Sequence, residues 1–232
     1  TNYKNLNLLF TANTGDNSIS LIIKKKNSII KKIVLQLPKF TNPIDLEIIQ
    51  ENFNEIPKIC ICIFKMEKYV ESLLETGVYI DNLENLLNKF EFNDQIKINK
   101  NDLIKIYSRE GYCGARSLKI CKKQNSYYFI ICDRDFDKLI VVKAKKKSFS
   151  IESLYEYKFK KFFEPIGLEI LLSKGKNLNI YITSRKNKQL VHFSFDFEIL
   201  KVVNIVSLPF QTRSQISIGN ICNEKFLAIG LW

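Results

Sequence analysis

The chain has 232 residues, 46% of them hydrophobic, and its 36 Lys and Arg against 24 Asp and Glu give a formal net charge of +12. A chain of this length can bury roughly 70% of the surface that its unfolded form exposes, which fits a single domain spanning residues 1–232. No apolar run reaches the roughly 18 residues that a membrane helix needs, and no signal peptide precedes Thr1. We therefore expect a cytoplasmic protein, but Thr1 is not an initiator Met, so a removed leader stays open.

Short alternating or β-branched runs predict strands from one end of the chain to the other. In the N-terminal half these are residues 8–12, 19–23, 29–35, 43–48, 59–64, 69–74, 78–87, 95–98 and 103–107. In the C-terminal half they are residues 118–121, 127–132, 138–144, 149–157, 168–172, 178–183, 190–195, 198–206, 215–218 and 226–231. Turn residues such as Gly175 and Asp196 separate the runs, which is typical of antiparallel hairpins.

A six-residue phrase recurs at residues 43–48, 115–120, 165–170 and 213–218. A period near 50 residues predicts a repeat architecture, and four antiparallel strands in each repeat are typical of a propeller blade. The predicted fold class is therefore an all-β propeller with four-stranded antiparallel blades, about four or five of them present. For the ring itself three alternatives stay open: a truncated chain, an incomplete ring, or completion by a second copy. Residues 213–218 are expected to supply the first strand of the N-terminal unit, which leaves residues 226–232 without a partner.

Three segments resemble known propeller repeats. Residues 165–168, followed by 179–185 and 189–193, resemble the NHL phrase of Pro-x-Gly-aliphatic and then aliphatic-Tyr-aliphatic, and residues 129–142 repeat its second half. Residues 11–22 are similar to the YVTN phrase. The resemblance implies a β-propeller, and because some NHL propellers bind RNA on a basic face, it also implies RNA binding as one function.

The spacing between the first two phrases is much longer than the later spacings, and the surplus falls after Phe92. Residues 93–114 are therefore predicted to be an insertion between blades. A long insertion on a repeat scaffold often builds a binding surface. A degenerate extra blade is the alternative.

Candidate catalytic and metal-binding residues are few. Cys60 and Cys62 are separated by one residue, which is not zinc-ligand spacing, and they are expected to be reduced core thiols. His192 alternates with its neighbours on a predicted strand, where a structural imidazole is the favoured interpretation. Asp133, Asp135 and Asp137 are similar to the start of a calcium loop but lack its Gly and distal Glu, so a solvated turn is expected. The sequence thus predicts no catalytic residue, no metal site and no cofactor.

Arginine is rarer than lysine here, and its planar fork suits phosphate and carboxylate groups. In an up-and-down blade, the loops between second and third strands emerge on the same face as the connections between blades. All five arginines fall in such positions, and with two exposed tyrosines they form the predicted partner-binding face: Arg109, Arg116, Arg134, Arg185, Arg213, Tyr107 and Tyr112. The alternative is that each arginine braces its own blade through a carboxylate such as Asp133 or Glu164.

The first functional prediction is a non-catalytic interaction scaffold that binds a protein partner on this face or associates with itself, with no small-molecule ligand. The alternative is RNA binding through the basic face, which the net charge favours. The third candidate is an enzyme related to the propeller lactonases.

Overall fold

The computed structural model of the chain describes residues 1–52, 54–65, 74–82, 94–110, 114–173, 177–221 and 224–231. Strands make up 68% of this structure and helices 3%, which confirms the predicted all-β fold class. The chain forms two compact units, residues 1–115 and residues 116–232.

The first unit contains two sheets. The first consists of β1 (Asn2–Tyr3), β2 (Leu6–Asn13), β3 (Ser18–Lys25), β4 (Ser28–Gln36) and, added at its edge, β8 (Gln95–Lys97). The second consists of β5 (Asn42–Ile49), β6 (Lys58–Phe64), β7 (Thr76–Asn82) and β9 (Leu103–Arg109). Short 3-10 turns at Thr14–Asp16 and Lys100–Asp102 precede β3 and β9.

The second unit contains two four-stranded sheets and a hairpin. The first sheet begins at the end of the first unit and consists of β10 (Ala115–Lys123), β11 (Ser126–Asp133), β12 (Lys138–Lys145) and β13 (Ile151–Lys158). The second consists of β14 (Pro165–Leu172), β15 (Leu178–Ser184), β16 (Gln189–Phe195) and β17 (Leu200–Ser207). The hairpin pairs β18 (Thr212–Ile221) with β19 (Glu224–Leu231).

Two strands pair differently from the sequence-based expectation. The hairpin partner of β18 is β19, and the N-terminal sheet starts instead with the two-residue strand β1. A sequence-adjacent antiparallel partner closes a much shorter loop than a partner at the other end of the chain.

The segment 93–114 supplies strands to both sheets of the first unit. Its first strand, β8, pairs in parallel with β4, and its second, β9, is the fourth strand of the second sheet, beside β7. The predicted strand at residues 69–74 lies outside the described residues apart from Leu74.

Each unit has its own hydrophobic core, built from the alternating residues of its strands. In the first unit the core includes Leu21, Ile33, Ile59, Ile61 and Tyr79. In the second unit it is largely aromatic, with Tyr128, Phe193 and Phe195 in edge-to-face contact with neighbouring rings. These cores hold the second and third strands rigidly, so the side chains at their ends have fixed positions.

Gly77 on β7 gives a direct test of the second sheet. A Cβ at this position would overlap the backbone carbonyl of Tyr107 and lie 2.8 Å from Ser108 Cα on the adjacent strand β9. We expect Gly77→Ala to lower the free energy of unfolding, measured by urea titration, by about 2 kcal/mol. Gly15→Ala is the control, because a Cβ there meets nothing within 4 Å. Equal stability of the two variants would contradict the β7 to β9 pairing.

Candidate active site

A buried carboxyl lies in the middle of the second sheet. Asp81, on β7, is directly opposite Ile59 of β6 and Leu103 of β9, so the three side chains share one face of the sheet. Ile59 belongs to the hydrophobic core of the first unit and Leu103 packs against it. Asp81 is only 2% exposed, which is rare for an aspartate without a charged partner.

The carboxyl of Asp81 is incompletely paired. Its Oδ2 atom has no hydrogen-bond partner among the described residues. Burial first, and then the nearby charge of Asp102, raise the pKa of Asp81 from its ordinary value of 3.8 to about 7. A carboxyl with a pKa near neutrality can both give and take a proton at physiological pH.

The second carboxylate, Asp102, is held in a different environment. It ends the 3-10 turn and directly precedes Leu103, the residue opposite Asp81. Its Oδ2 accepts hydrogen bonds from the side chain of Asn99 at 3.1 Å and from the backbone nitrogen of Asn99 at 3.4 Å. The two groups thus form an unequal pair, with one carboxyl buried and the other exposed and hydrogen-bonded. Environments of this kind separate acid and base roles.

Sequence reasoning missed this pair. Asp81 ends a run of Val, Tyr and Ile in which every residue is buried on one face or the other, so strand alternation could not mark its position. Asp102 is far from Asp81 in the sequence. The two residues become neighbours only because the fourth strand of the sheet is β9, which pairs with β7.

Two of the predicted arginines meet in the second unit. Arg134, in the turn after β11, and Arg185, in the turn after β15, contact the same carboxylate oxygen of Glu164 at 3.3 and 3.4 Å. The Arg134 Nε contact is an ion pair without hydrogen-bond geometry. Lys186 approaches the other oxygen of Glu164 at 2.8 Å. This arrangement corresponds to the bracing alternative for these two arginines.

The pKa of Glu164 reflects these contacts. Burial acts to raise it, but the hydrogen bond from Lys186 and the charges of Arg134, Lys186 and Arg185 outweigh burial and hold the pKa below its ordinary value. Glu164 is 14% exposed, so its interactions are only partly screened by solvent.

The aspartates after β11 are not a solvated turn, and that expectation is wrong for two of the three. Asp133 and Asp137 are buried, and Asp135 is exposed. Asp137 accepts hydrogen bonds from the backbone nitrogens of Phe162 at 2.8 Å and Glu164 at 2.7 Å. Because it satisfies two backbone donors, Asp137 fixes the loop that carries Glu164.

The other predicted binding residues are Arg109, Tyr107, Arg116, Arg213 and Tyr112. Arg109, at the end of β9, donates to the backbone oxygen of Glu110 at 3.0 Å, and Tyr107 on the same strand is half-buried. Arg116 is half-buried on β10. Arg213 lies on β18, but its side chain is outside the described residues, as is Tyr112. A shared partner-binding role for the seven residues stays a prediction.

His192 has a local structural environment. One of its ring nitrogens, Nε2, shares a hydrogen bond with Asn179 Oδ1 at 2.9 Å, and the ring stacks on Tyr181 with centroids 4.6 Å apart. Burial lowers its pKa. The free cysteines Cys60 and Cys132 are fully buried on central strands.

The described residues contain neither a candidate metal cluster nor a membrane-spanning helix. Within the described ranges, no three His, Cys, Asp or Glu side chains gather in a way that could hold a metal ion. In the same part of the chain, no helix is long and apolar enough to cross a membrane.

Comparison with known proteins gives structural matches alone. No sequence family matches the chain, and no curated protein does. An exo-β-1,3-galactanase from Phanerochaete chrysosporium, solved with β-1,3-galactotriose, is 8% identical with a TM-score of 0.53, over 89% of this chain and 50% of that one. A GH32 β-fructofuranosidase from Bombyx mori is 11% identical with a TM-score of 0.49, over 97% of this chain and 52% of that one. A protein from Bacteroides fragilis described as a 6-phosphogluconolactonase is 12% identical with a TM-score of 0.45, over 87% of this chain and 67% of that one.

The galactanase match settles the fold class and corrects the functional expectation. The four-stranded antiparallel sheets and the galactanase match define a β-propeller of about five blades. The expectation of a non-catalytic interaction scaffold is wrong, because the solved structure that matches with a TM-score of 0.53 is an exo-β-1,3-galactanase. The chain spans about half the length of the galactanase. No sequence family supports the NHL and YVTN resemblance.

Proposed function

We propose that the chain is part of a propeller enzyme that hydrolyses a C–O bond in a carbohydrate-type substrate, either a glycoside or a sugar lactone. The observation that carries the proposal is Asp81, a buried carboxyl with an unpaired oxygen and a pKa raised to about 7. A strongly perturbed group of this kind is a candidate catalytic acid or base. The galactanase match supports a hydrolytic role through the shared fold.

The two carboxyl groups divide the chemistry. Asp81, protonated up to about pH 7, gives its proton to the oxygen that leaves as the C–O bond breaks. Asp102 takes a proton from the water that attacks the carbon, so the sum of the two transfers is hydrolysis. Glycoside hydrolysis uses two carboxyl groups, one as the acid and one as the base, and each proton transfer contributes roughly 10²- to 10⁴-fold to the rate.

The test compares Asp81→Asn with the parent protein on two substrates, gluconolactone and a p-nitrophenyl galactoside. We expect Asp81→Asn to lower kcat/KM by at least about a hundredfold on the substrate that is hydrolysed. The matched control is Asp16→Asn, which removes an exposed carboxylate from the turn before β3. The proposal would be contradicted if the parent protein hydrolysed neither substrate, or if Asp81→Asn kept full activity.

The pH profile separates a catalytic role from a structural one. The basic limb of kcat/KM should fall near pH 7, where Asp81 loses its proton. Asp102→Asn removes both the proposed base and the charge that helps to raise the pKa of Asp81. Its kcat/KM should fall by roughly 10²- to 10⁴-fold, and the basic limb of the remaining activity should move to lower pH. An unmoved limb would assign the titration to another group.

A further inference from the structure

The edge of the first sheet carries a parallel strand pair. β8 lies beside β4 with Val34, Leu35 and Gln36 opposite Gln95, Ile96 and Lys97. Backbone hydrogen bonds close both ends of the pair, from Val34 to Asp94 and from Ile98 to Gln36, each at 2.8 Å. Since the two strands run in the same direction, the segments that follow β4 and β8 leave the sheet at the same end.

The two segments diverge there and leave a crevice between them. The crevice has a volume of about 360 Å³, and its walls come from residues 36–39 on one side and 97–100 on the other. This volume is at the lower end of the range for small-molecule sites.

The lining combines an apolar surface with positive charge, and we call it the lysine crevice. Three apolar residues and three lysines supply most of it: Leu37, Pro38, Ile98, Lys39, Lys97 and Lys100. Each of the three lysines is exposed, and none forms an ion pair with another described residue. Gln36 is held by hydrogen bonds to the backbone oxygens of Asp16 and Asn17, at 3.1 and 2.9 Å, so this wall is fixed.

A second lysine-lined cavity in the other unit differs in charge. It includes Lys145 and Lys147, but Glu152 also lines it and is paired with Lys143 at 3.4 Å. A carboxylate in the lining offsets part of the positive potential, whereas none of the described residues that line the lysine crevice is Asp or Glu. The uncompensated charge of the lysine crevice favours an anionic occupant.

We propose that the lysine crevice binds a small organic anion, namely a phosphate or carboxylate group carried on a body of about the size of one sugar ring. The lysine ammonium groups hold the anion, and the lysine stems and the half-buried Pro38 pack against the apolar face of the body. Asn99, which also lines the crevice, holds Asp102 through its side chain at 3.1 Å. The crevice therefore adjoins the candidate active site. Binding itself does not rest on the proposed function.

The experiment is isothermal titration of the parent protein with glucose 6-phosphate, gluconate and glucose. We expect saturable binding of at least one anion and none of glucose, and the tighter anion identifies phosphate or carboxylate as the recognised group. Lys97→Gln/Lys100→Gln should raise the Kd by at least about tenfold, as expected for loss of charged hydrogen bonds. Lys145→Gln/Lys147→Gln removes the same charge from the other cavity and should leave the Kd unchanged.

Three outcomes would overturn this inference. They are equal weakening in the two double variants, no saturable binding of either anion, and glucose binding as tight as that of the anions. Asp81→Asn separates the two proposals, because it should lose hydrolysis while keeping the parent Kd for the anion. Anion binding without hydrolysis by the parent protein would support the crevice and contradict the enzymatic proposal.

Discussion

Replacing Asp81 with Asn should make the protein more stable at pH 8 by up to about 4 kcal/mol while changing its stability little at pH 4. The reason is that the carboxyl is 2% exposed and its Oδ2 has no hydrogen-bond partner among the described residues, so its charged form is poorly solvated. The neutral acid and Asn have similar shape and polarity, which is why the two proteins should converge in acid.

The sign follows from the raised pKa. Between the ordinary value of 3.8 and the folded value of about 7, the unfolded chain has already lost the proton of Asp81 but the folded protein keeps it. The unfolded state therefore binds fewer protons, and the contribution of Asp81 to stability falls as pH rises through this window. Above about pH 7 both states are ionised, and the difference from Asp81→Asn stays constant.

Urea unfolding of both proteins from pH 4 to pH 8 measures this difference, with Asp16→Asn as the exposed control. A difference that does not grow between pH 4 and pH 7 would show that Asp81 is solvated or paired in solution. The expected gain also bears on function, because a carboxyl that lowers the stability of its own fold is better explained by activity than by packing.

How far the sequence could predict the fold depends on the spacing of the repeats. In the second unit, turns separate alternating runs regularly, and predicted strands such as 127–132 and 178–183 fall inside β11 and β15. Local alternation is enough there because each strand pairs with its neighbour in the chain. In the first unit, β8 and β9 follow a long segment and pair with β4 and β7. Pairing at this distance leaves no local pattern to detect.

The candidate site was harder to predict for a related reason. The raised pKa of Asp81 comes from burial and from Asp102, a residue brought close only by the pairing of β7 with β9. The meeting of Arg134 and Arg185 was partly predictable, since they occupy matching turns in successive repeats. Their shared contact, Glu164, appeared in the sequence only as a candidate brace.

Glu164→Gln should lower the free energy of unfolding by about 2 kcal/mol at pH 7, because it removes the charge that three cations share in a partly buried site. The cations are Arg134, Arg185 and Lys186, at 3.3, 3.4 and 2.8 Å from the Glu164 carboxylate. Its folded pKa is lowered, so the sign is opposite to that of Asp81. The stabilisation is complete above the ordinary value of 4.5 and is lost as pH falls through the lowered folded pKa.

Urea unfolding at pH 7 and at pH 3 tests this expectation, with Glu156→Gln as the matched control. Glu156 forms one ion pair with Lys138 at 2.7 Å and is 37% exposed, so its loss should have an effect of less than about 1 kcal/mol. The double variant Arg134→Gln/Arg185→Gln should also be destabilised, since it removes two of the three cations that compensate Glu164 in a partly buried site. If Glu164→Gln is no less stable than Glu156→Gln, the cluster does not brace the sheets. The two arginines would then be free for the partner contacts that their matching positions predict.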